Sequence, residues 1–513
     1  LGAIHCDSKP FVISATSVLQ YCERISKMRI QTRSVISFLW VAIICSTPFL
    51  SGSLEAIALN AQTINRPNVL FIAVDDLRPQ LACYGQSQMR TPNFDALAKR
   101  SVLFERAYCM VPTCGASRAS LMTGIRPSPS RFVSYTARAD RDMPDAMTLN
   151  TFFKENGYTT ISLGKVFHFV DDSLAGWSED PWRSKLNDYQ NESVQRTAVA
   201  QHQQKYPNRK KVRAMPYESA DALDSEYRDY ETATQAITRI KQFAESKEPF
   251  FLAVGFNKPH LPFCAPKRYW DLYSQQDIQL AENDGPPLNA PEGAVHASGE
   301  LRAYASIPPT GPVSQDTARQ LIHGYYACVS FIDAQLGRLI QQLDDSGLAN
   351  NTIIVLWGDH GWQLGEHGMW NKHSCFETSM HAPLMIAAPG FVRGERCRSL
   401  TEFIDIYPTL CELSGFNAPS HVQGVSLIPW LKNPKAPGKT NAIGRFQTGD
   451  TVRTDSYRYS EYRTQQGRGR LTGTMLYDHR IDPGENQNLS GTDEVTEFEE
   501  SLRAELAKRK GRD

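Results

Sequence analysis

Four short stretches carry side chains able to do chemistry together. Asp75-Asp76 are adjacent carboxylates directly after an apolar run, and such neighbours repel unless a cation or basic group neutralises them. Gly358-Asp359-His360-Gly361 follows a second apolar run, and Asn257-Lys258-Pro259-His260 a third. An acidic pair at one strand end and Asp-His at another form an oxygen-rich set. That set suits a hard cation, calcium or magnesium, better than zinc. One Asp-Asp pair alone reads equally well as a helix cap or a solvated turn; its recurrence at a second strand end favours the metal. The fourth stretch is Cys114-Gly115-Ala116-Ser117-Arg118. A lone cysteine is ordinarily a small buried hydrophobe. With Ser117 as a helix cap ahead of Ala119 to Met122, however, the cysteine would lie at a helix start, where backbone donors and a positive field favour anions. Arg118 adds a permanent cation for an anionic oxygen.

For these groups to meet, the apolar runs must be neighbouring strands. Pro67 to Val74 reads as a strand buried on both faces. The same pattern recurs at Tyr158 to Leu163, Phe250 to Gly255, Thr352 to Trp357 and Leu384 to Ala388. Helical patterns alternate with them at Thr91 to Arg100, Leu149 to Glu155, Thr232 to Ala244 and Gln320 to Leu343. Alternation of this kind predicts an α/β fold with a large mixed, mostly parallel sheet sandwiched by helices. In such sheets ligands bind beyond the carboxyl ends of the strands, which is where three of the four stretches fall. Polar Asp180 to Tyr217 and Pro-rich Ala281 to Pro312 read as long loops. Beyond Asn433-Pro434-Lys435-Ala436-Pro437 the pattern changes. Thr451 to Tyr462 and Thr472 to Tyr477 alternate as strands, and Glu494 to Lys508 is a charged helix. These predict a smaller C-terminal antiparallel sheet plus helix, and hence a catalytic domain over 62–435 and an α+β subdomain over 436–513.

The chain of 513 residues is 41% hydrophobic and 21% charged with zero formal net charge. That is ample for a core and gives no reason to expect nucleic acid or an anionic membrane surface as a partner. The first Met is Met28, followed by Arg29, Arg33 and an apolar stretch from Val35 to Leu50. Residues 1–61 therefore read as an over-extended start plus a signal peptide, with Ala58-Leu59-Asn60-Ala61 at the cleavage site. The apolar stretch is short for a membrane span, so the expected product is exported, periplasmic or extracellular, without a stable span. Eleven cysteines do not make a dense disulfide framework. Three precede the cleavage site, and no pairing is assigned among the other eight.

The segment from Cys114 to Gly124, CGASRASLMTG, resembles the signature of the sulfatases, which belong to the alkaline-phosphatase-like superfamily. The likeness recurs in order at NVLFIAVDDLRPQLACYG, TPNFDALAKRSVLFERAY, GKVFH, KPHLPF, GDHGWQLGEHG and LYDHRIDPGENQNLS. Its nearest approach is to the iduronate 2-sulfatase branch, through FKENGYTTISLGKVFH, FNKPHLPF and GDHGWQLGEHGMWNKHS.

The resemblance implies a sulfuric ester hydrolase that releases sulfate from a sulfated sugar or glycan. It implies that Cys114 is oxidised to formylglycine by a formylglycine-generating or equivalent maturation enzyme. Asp75, Asp76, Asp359, His360 and the modified residue 114 would hold one Ca²⁺. Arg118, Lys165 and Lys372 would bind and polarise the aldehyde hydrate or the sulfate. His168 would help deprotonate the hydrate, His260 would protonate the leaving alcohol, and Trp362 would contact substrate. Taken singly, Lys165, His168 and His260 have structural readings, and His323, His367 and His373 are expected to be structural. Ala116 stands where the common signature has Pro, which bears on maturation. Two alternatives accompany this reading: a phosphoester or phosphonate hydrolase of the same superfamily, and a non-catalytic binder of sulfated glycans should Cys114 stay a thiol.

Overall fold

The computed structural model describes residues 66–209 and 211–510. Residues 1–61, read above as an over-extended start plus signal peptide and containing Cys6, Cys22 and Cys45, lie outside the described residues. Seven strands form the main sheet: β1 (Asn68–Val74), β2 (Val102–Phe104), β3 (Thr159–Gly164), β4 (Phe250–Phe256), β5 (Thr352–Gly358), β6 (Leu384–Ala387) and β7 (Glu395–Cys397). Their order across the sheet is β7-β2-β6-β5-β1-β4-β3. β1 pairs in parallel with β4 and β5, and β3 in parallel with β4. β6 runs antiparallel to both β5 and β2. The sheet is thus mixed and mostly parallel, as its apolar runs predicted.

All seven residues of β1 are buried because each face is covered. Leu70, Ile72 and Val74 pack into one core with side chains of helices α5 (Arg228–Ser246) and α6 (Gln315–Asp345). Val69, Phe71 and Ala73 pack into the other with α2 (Cys114–Thr123), α3 (Leu149–Glu155) and α7 (Ile406–Leu413). The remaining described helices of length are α1 (Pro92–Ala98), α4 (Glu192–Lys205) and α8 (Thr496–Lys510). Fully burying one Val, Leu, Ile or Phe is worth roughly 1.5–3 kcal/mol, so the two-sided central strands form a rigid base for whatever sits at their ends.

The C-terminal sheet comprises β8 (Asn441–Phe446), β9 (Gly449–Thr454), β10 (Tyr457–Arg463) and β11 (Leu471–Asp478), antiparallel throughout, with α8 packed on it through Leu502 and Leu506. It joins the main body through buried ion pairs. Glu377 accepts from Arg453 at 3.1 Å and from Arg458 at 2.5 Å, and Arg458 also meets Glu485 at 2.9 Å.

Three expectations need correction. The polar stretch 180–217 is not all loop. It contains α4, whose mostly charged and amide side chains bury only Gln195 and His202 and so leave no apolar stripe to read. The run from Thr451 to Tyr462 is not one strand but parts of two, β9 and β10. Ser117 caps nothing: α2 already begins at Cys114, with Thr113 before it in extended backbone. Among the described residues all eight cysteines are free, and no helix is long and apolar enough to cross a membrane.

Gly164, the last residue of β3, has φ +74°, and a Cβ there would lie 2.1 Å from the Gly255 carbonyl oxygen. Gly491 has a similar φ of +81° with open space around it. Gly164→Ala is therefore expected to destabilise by about 3 kcal/mol and Gly491→Ala by about 1 kcal/mol. Equal shifts of the two thermal midpoints would refute the close-packing account.

Candidate active site

Strand register brings the chemistry to one level. Val74 lies beside both Phe256 and Gly358, and Gly164 beside Gly255. The ladder runs one residue further: Asp75 donates its N–H to Phe256 O at 3.1 Å, Asp359 to Val74 O at 3.3 Å and Lys165 to Gly255 O at 2.8 Å. Asp75, Asp359 and Lys165 therefore leave β1, β5 and β3 at the same height, with β4 between β1 and β3. Asp76 follows with φ 58°, a left-handed turn that is strained for a non-glycine residue and characteristic of functional sites. Its amide donates to Asp359 Oδ1 at 2.9 Å, and its carbonyl accepts from the Tyr325 hydroxyl of α6 at 2.8 Å. That turn lets two successive carboxylates enter one space.

Arg118 sits beneath them on α2, fully buried. Its Nη2 meets Asp75 Oδ1 at 3.0 Å and its Nε meets Asp359 Oδ2 at 3.0 Å. Its Nη1 donates to the carbonyls of Lys165 and Val166. Lys165 bonds the other Asp75 oxygen. Lys372 Nζ lies 3.0 Å from both oxygens of Asp76. Burial alone would raise the Asp75 carboxyl, but Lys165 and Arg118 overcome it and hold Asp75 well below the usual carboxylate range. At Asp76 burial prevails over its cations and pushes the carboxyl up.

Cys114 is the first residue of α2 and is buried. Its Sγ lies 3.3 Å from His360 Nε2 and 3.8 Å from Asp76 Oδ1. Gly115 lets the 135–137 segment pack directly on the start of α2, since a Cβ on it would lie 2.1 Å from Tyr135 O. Burial, reinforced by Asp75, pushes the Cys114 thiol well above its ordinary value. It stays protonated, and a protonated thiol is a poor nucleophile.

His360 Nδ1 lies 2.9 Å from Gly361 O. A carbonyl only accepts, so Nδ1 carries a proton and Nε2 is the nitrogen turned inward. There it faces Asp76 Oδ1 at 3.3 Å and Asp359 Oδ1 at 3.6 Å. Two carboxylate oxygens and an imidazole nitrogen converge on one buried point, and carboxylates placed so close repel each other unless a cation lies among them. The residues fit a hard divalent ion, with the backbone bond at Nδ1 orienting the ring as metal-bound histidines require.

The sulfatase family profile matches residues 67–416, and that of the N-sulphoglucosamine sulphohydrolase C-terminal region matches 365–512. The chain belongs to the sulfatase family. Its reaction is the hydrolysis of a sulfate ester. It is 34% identical over 418 residues to the iduronate 2-sulfatase of Homo sapiens, spanning 74% of each chain. Among solved structures, it resembles a protein in complex with its substrate D-glucosamine-2-N,6-O-disulfate (TM-score 0.68, 20% identity, 87% of this chain and 98% of that one). It also resembles the phosphonate monoester hydrolase of Agrobacterium radiobacter (TM-score 0.70, 22% identity, 87% and 96%). At those identities the two structures share the fold with this sulfatase and do not decide its ester.

The sequence-predicted residues thus assemble around one point, with differences at the rim. His260 projects Nε2 to 3.8 Å from Asp76 Oδ2. His168 is displaced to the Lys165 side, edge-on to Tyr135 at 5.9 Å, with Nδ1 buried and lacking a hydrogen-bond partner. Burial and Lys165 lower its pKa to about 3, leaving a neutral ring. Trp362 is 1% exposed and carries Lys372 Nζ 4.9 Å from its ring centroid, which puts it behind the ammonium rather than on the open side. His373 stacks on Phe446 of β8 at 5.3 Å, and His367 and His323 bond the carbonyls of Gly484 and Trp270. Sequence reasoning missed Glu300, which lies in the Pro-rich loop yet reaches both His260 and Lys372; no spacing signal marks it.

Replacing Arg118 with Met should leave two buried carboxylates short of a partner and destabilise by about 3–5 kcal/mol. Lys165→Met, which strips one partner from Asp75 alone, should be milder. Thermal unfolding of the two variants tests the order, and a nearly unchanged midpoint for Arg118→Met would overturn the role given to the guanidinium.

Proposed function

We propose that this sulfatase releases sulfate from a sulfated sugar, with a 2-sulfated uronate of a glycan as the favoured substrate, using formylglycine at position 114 and one Ca²⁺. The observation that carries the reading is the position of Cys114. As the first residue of α2, it stands where Asp76, Asp359 and His360 converge. A nucleophile at that position would lie against the groups able to hold a cation. Formylglycine would supply, as its hydrate, one hydroxyl for attack on sulfur and a second whose proton loss frees the sulfate. Asp75, Asp76, Asp359 and His360 would hold Ca²⁺, which stabilises charge on sulfuryl oxygens.

The chain's own groups then divide the work. The three aspartates and Glu300 outnumber Arg118, Lys165 and Lys372 by one charge, so a divalent ion would turn the centre cationic and suit it to an anionic ester. Arg118 holds Asp75 and Asp359 aligned. Lys165 presents its ammonium group at Asp75 and Lys372 at Asp76. His168 would help deprotonate the hydrate, and His260 would protonate the leaving alcohol. Substrate choice rests on the 34% identity to human iduronate 2-sulfatase. Export and maturation rest on the leader at Met28 and on the CGASR segment, with Ala116 buried in α2. We read 436–513 as a supporting subdomain, because Phe446 buttresses the segment that carries Lys372.

Peptide mass spectrometry of the exported protein is expected to find an aldehyde at position 114. Cys114→Ala should lower sulfate release by at least about a thousandfold with the fold retained, whereas undiminished turnover would sink the mechanism. Chelating calcium should abolish turnover and lower the thermal midpoint, and Asp359→Ala should remove the response to added Ca²⁺. Zinc dependence with preference for a phosphate ester would instead favour the phosphoester reading.

A further inference from the structure

Glu300 lies outside every motif of the site, in the Pro-rich segment 281–312. Its Oε1 lies 3.2 Å from His260 Nε2 and its Oε2 lies 3.1 Å from Lys372 Nζ. One carboxylate thus spans two groups that also converge on Asp76. Burial would raise its carboxyl, but Lys372 and His260 hold it well below the usual carboxylate range. It is therefore an ionised acceptor.

The turn that presents Glu300 is fixed to the strand of chain that presents Lys372. Ser298, at φ 56°, accepts the Trp370 N–H on its hydroxyl at 3.0 Å. His296 Nε2 lies 3.3 Å from Lys372 O and must donate to it, while His296 Nδ1 accepts the Ser298 N–H at 3.0 Å. One neutral tautomer satisfies both bonds. Arg302 donates to the carbonyls of Ala297, Pro308 and Gly311, closing the loop on itself. Leu301 anchors the turn at 1% exposure. Glu300 is held in place by its surroundings and does not depend on the contacts it makes.

The consequence lies at His260. Its Nδ1 is engaged by Leu261 O at 2.6 Å, so the ring can swing only about that bond, and Glu300 sets where the Nε2 edge points. We infer that Glu300 is a positioning residue for leaving-group protonation, fixing the spacing between His260 and Lys372 through its two oxygens. As the S–O bond of the ester breaks, its electron pair remains on the leaving oxygen and takes the Nε2 proton. A ring free to swing delivers that proton less often. This rests on the acid role proposed for His260.

The test is a series of aryl sulfates from 4-nitrophenyl sulfate to phenyl sulfate, assayed with the matured full-length enzyme. A good leaving group needs little protonation, so loss of a positioned acid steepens the dependence of kcat/KM on the pKa of the leaving phenol. Glu300→Gln is expected to slow phenyl sulfate about tenfold more than 4-nitrophenyl sulfate. Glu300→Asp, which withdraws the carboxylate by one methylene, should act in the same direction and serves if the first variant does not fold. His260→Asn should steepen the slope further, and adding Glu300→Gln to it should change the slope no more. If His260→Asn steepens the slope and a folded Glu300 variant lowers all substrates equally or not at all, the inference is overturned and the acid role stands. If His260→Asn leaves the slope unchanged, the acid role fails and the inference with it.

Discussion

Burying Asp75 and Asp359 side by side is tolerable only because the Arg118 guanidinium lies between them. Each carboxylate taken from water costs several kcal/mol unless paired and hydrogen-bonded. A guanidinium is suited to this position because it is planar, always charged and able to serve several acceptors at once. Two of its nitrogens engage the aspartates and a third engages the backbone that leads to Lys165. Arg118 thereby ties the ends of β1, β3 and β5 to α2. The helix that delivers Arg118 also delivers Cys114, one turn earlier and on the same side. Charge balance and the placing of the reactive residue are consequences of the same four-residue spacing.

Around this fixed floor the rim is built from less regular parts. Lys372, His260 and Glu300 come from three separate loops, each secured by side chain to backbone bonds. Asp229 of α5 accepts the amides of Asn257 and Lys258 at 2.7 and 3.0 Å, which sets the start of the turn leading to His260. The segment holding Lys372 is supported from below by Trp362 and from the side by Phe446. Since β8 carries Phe446, and β9 and β10 carry the arginines that bind Glu377, the C-terminal sheet stabilises the loops of the site.

The sheet and the floor of the site were legible from sequence. Short apolar runs such as NVLFIAV, bounded by polar residues and alternating with helical patterns, read as strands covered on both faces, and acidic residues directly after them then emerge at strand ends. The helix α4 was not legible because its polar sequence has no periodicity to distinguish helix from loop. The start of α2 was misread because Ser117 has the chemistry of a cap, but its hydroxyl bonds Asp359 O instead. Trp362 follows the Asp359-His360 pair closely enough to suggest an outward contact, yet the chain turns it into the core.

Residue type and order by themselves determined which chemistry was available: a cysteine at a helix start, three aspartates and a histidine behind strands, and enough lysine and arginine to balance them. Tertiary structure decided how those groups face one another. Register between strands distant in sequence set Asp75 level with Asp359, and the bond from His360 Nδ1 to Gly361 O turned Nε2 toward the carboxylates. A Pro-rich loop brought Glu300 onto His260 and Lys372. A carboxylate's partner is chosen by distance in space, and sequence records only distance along the chain.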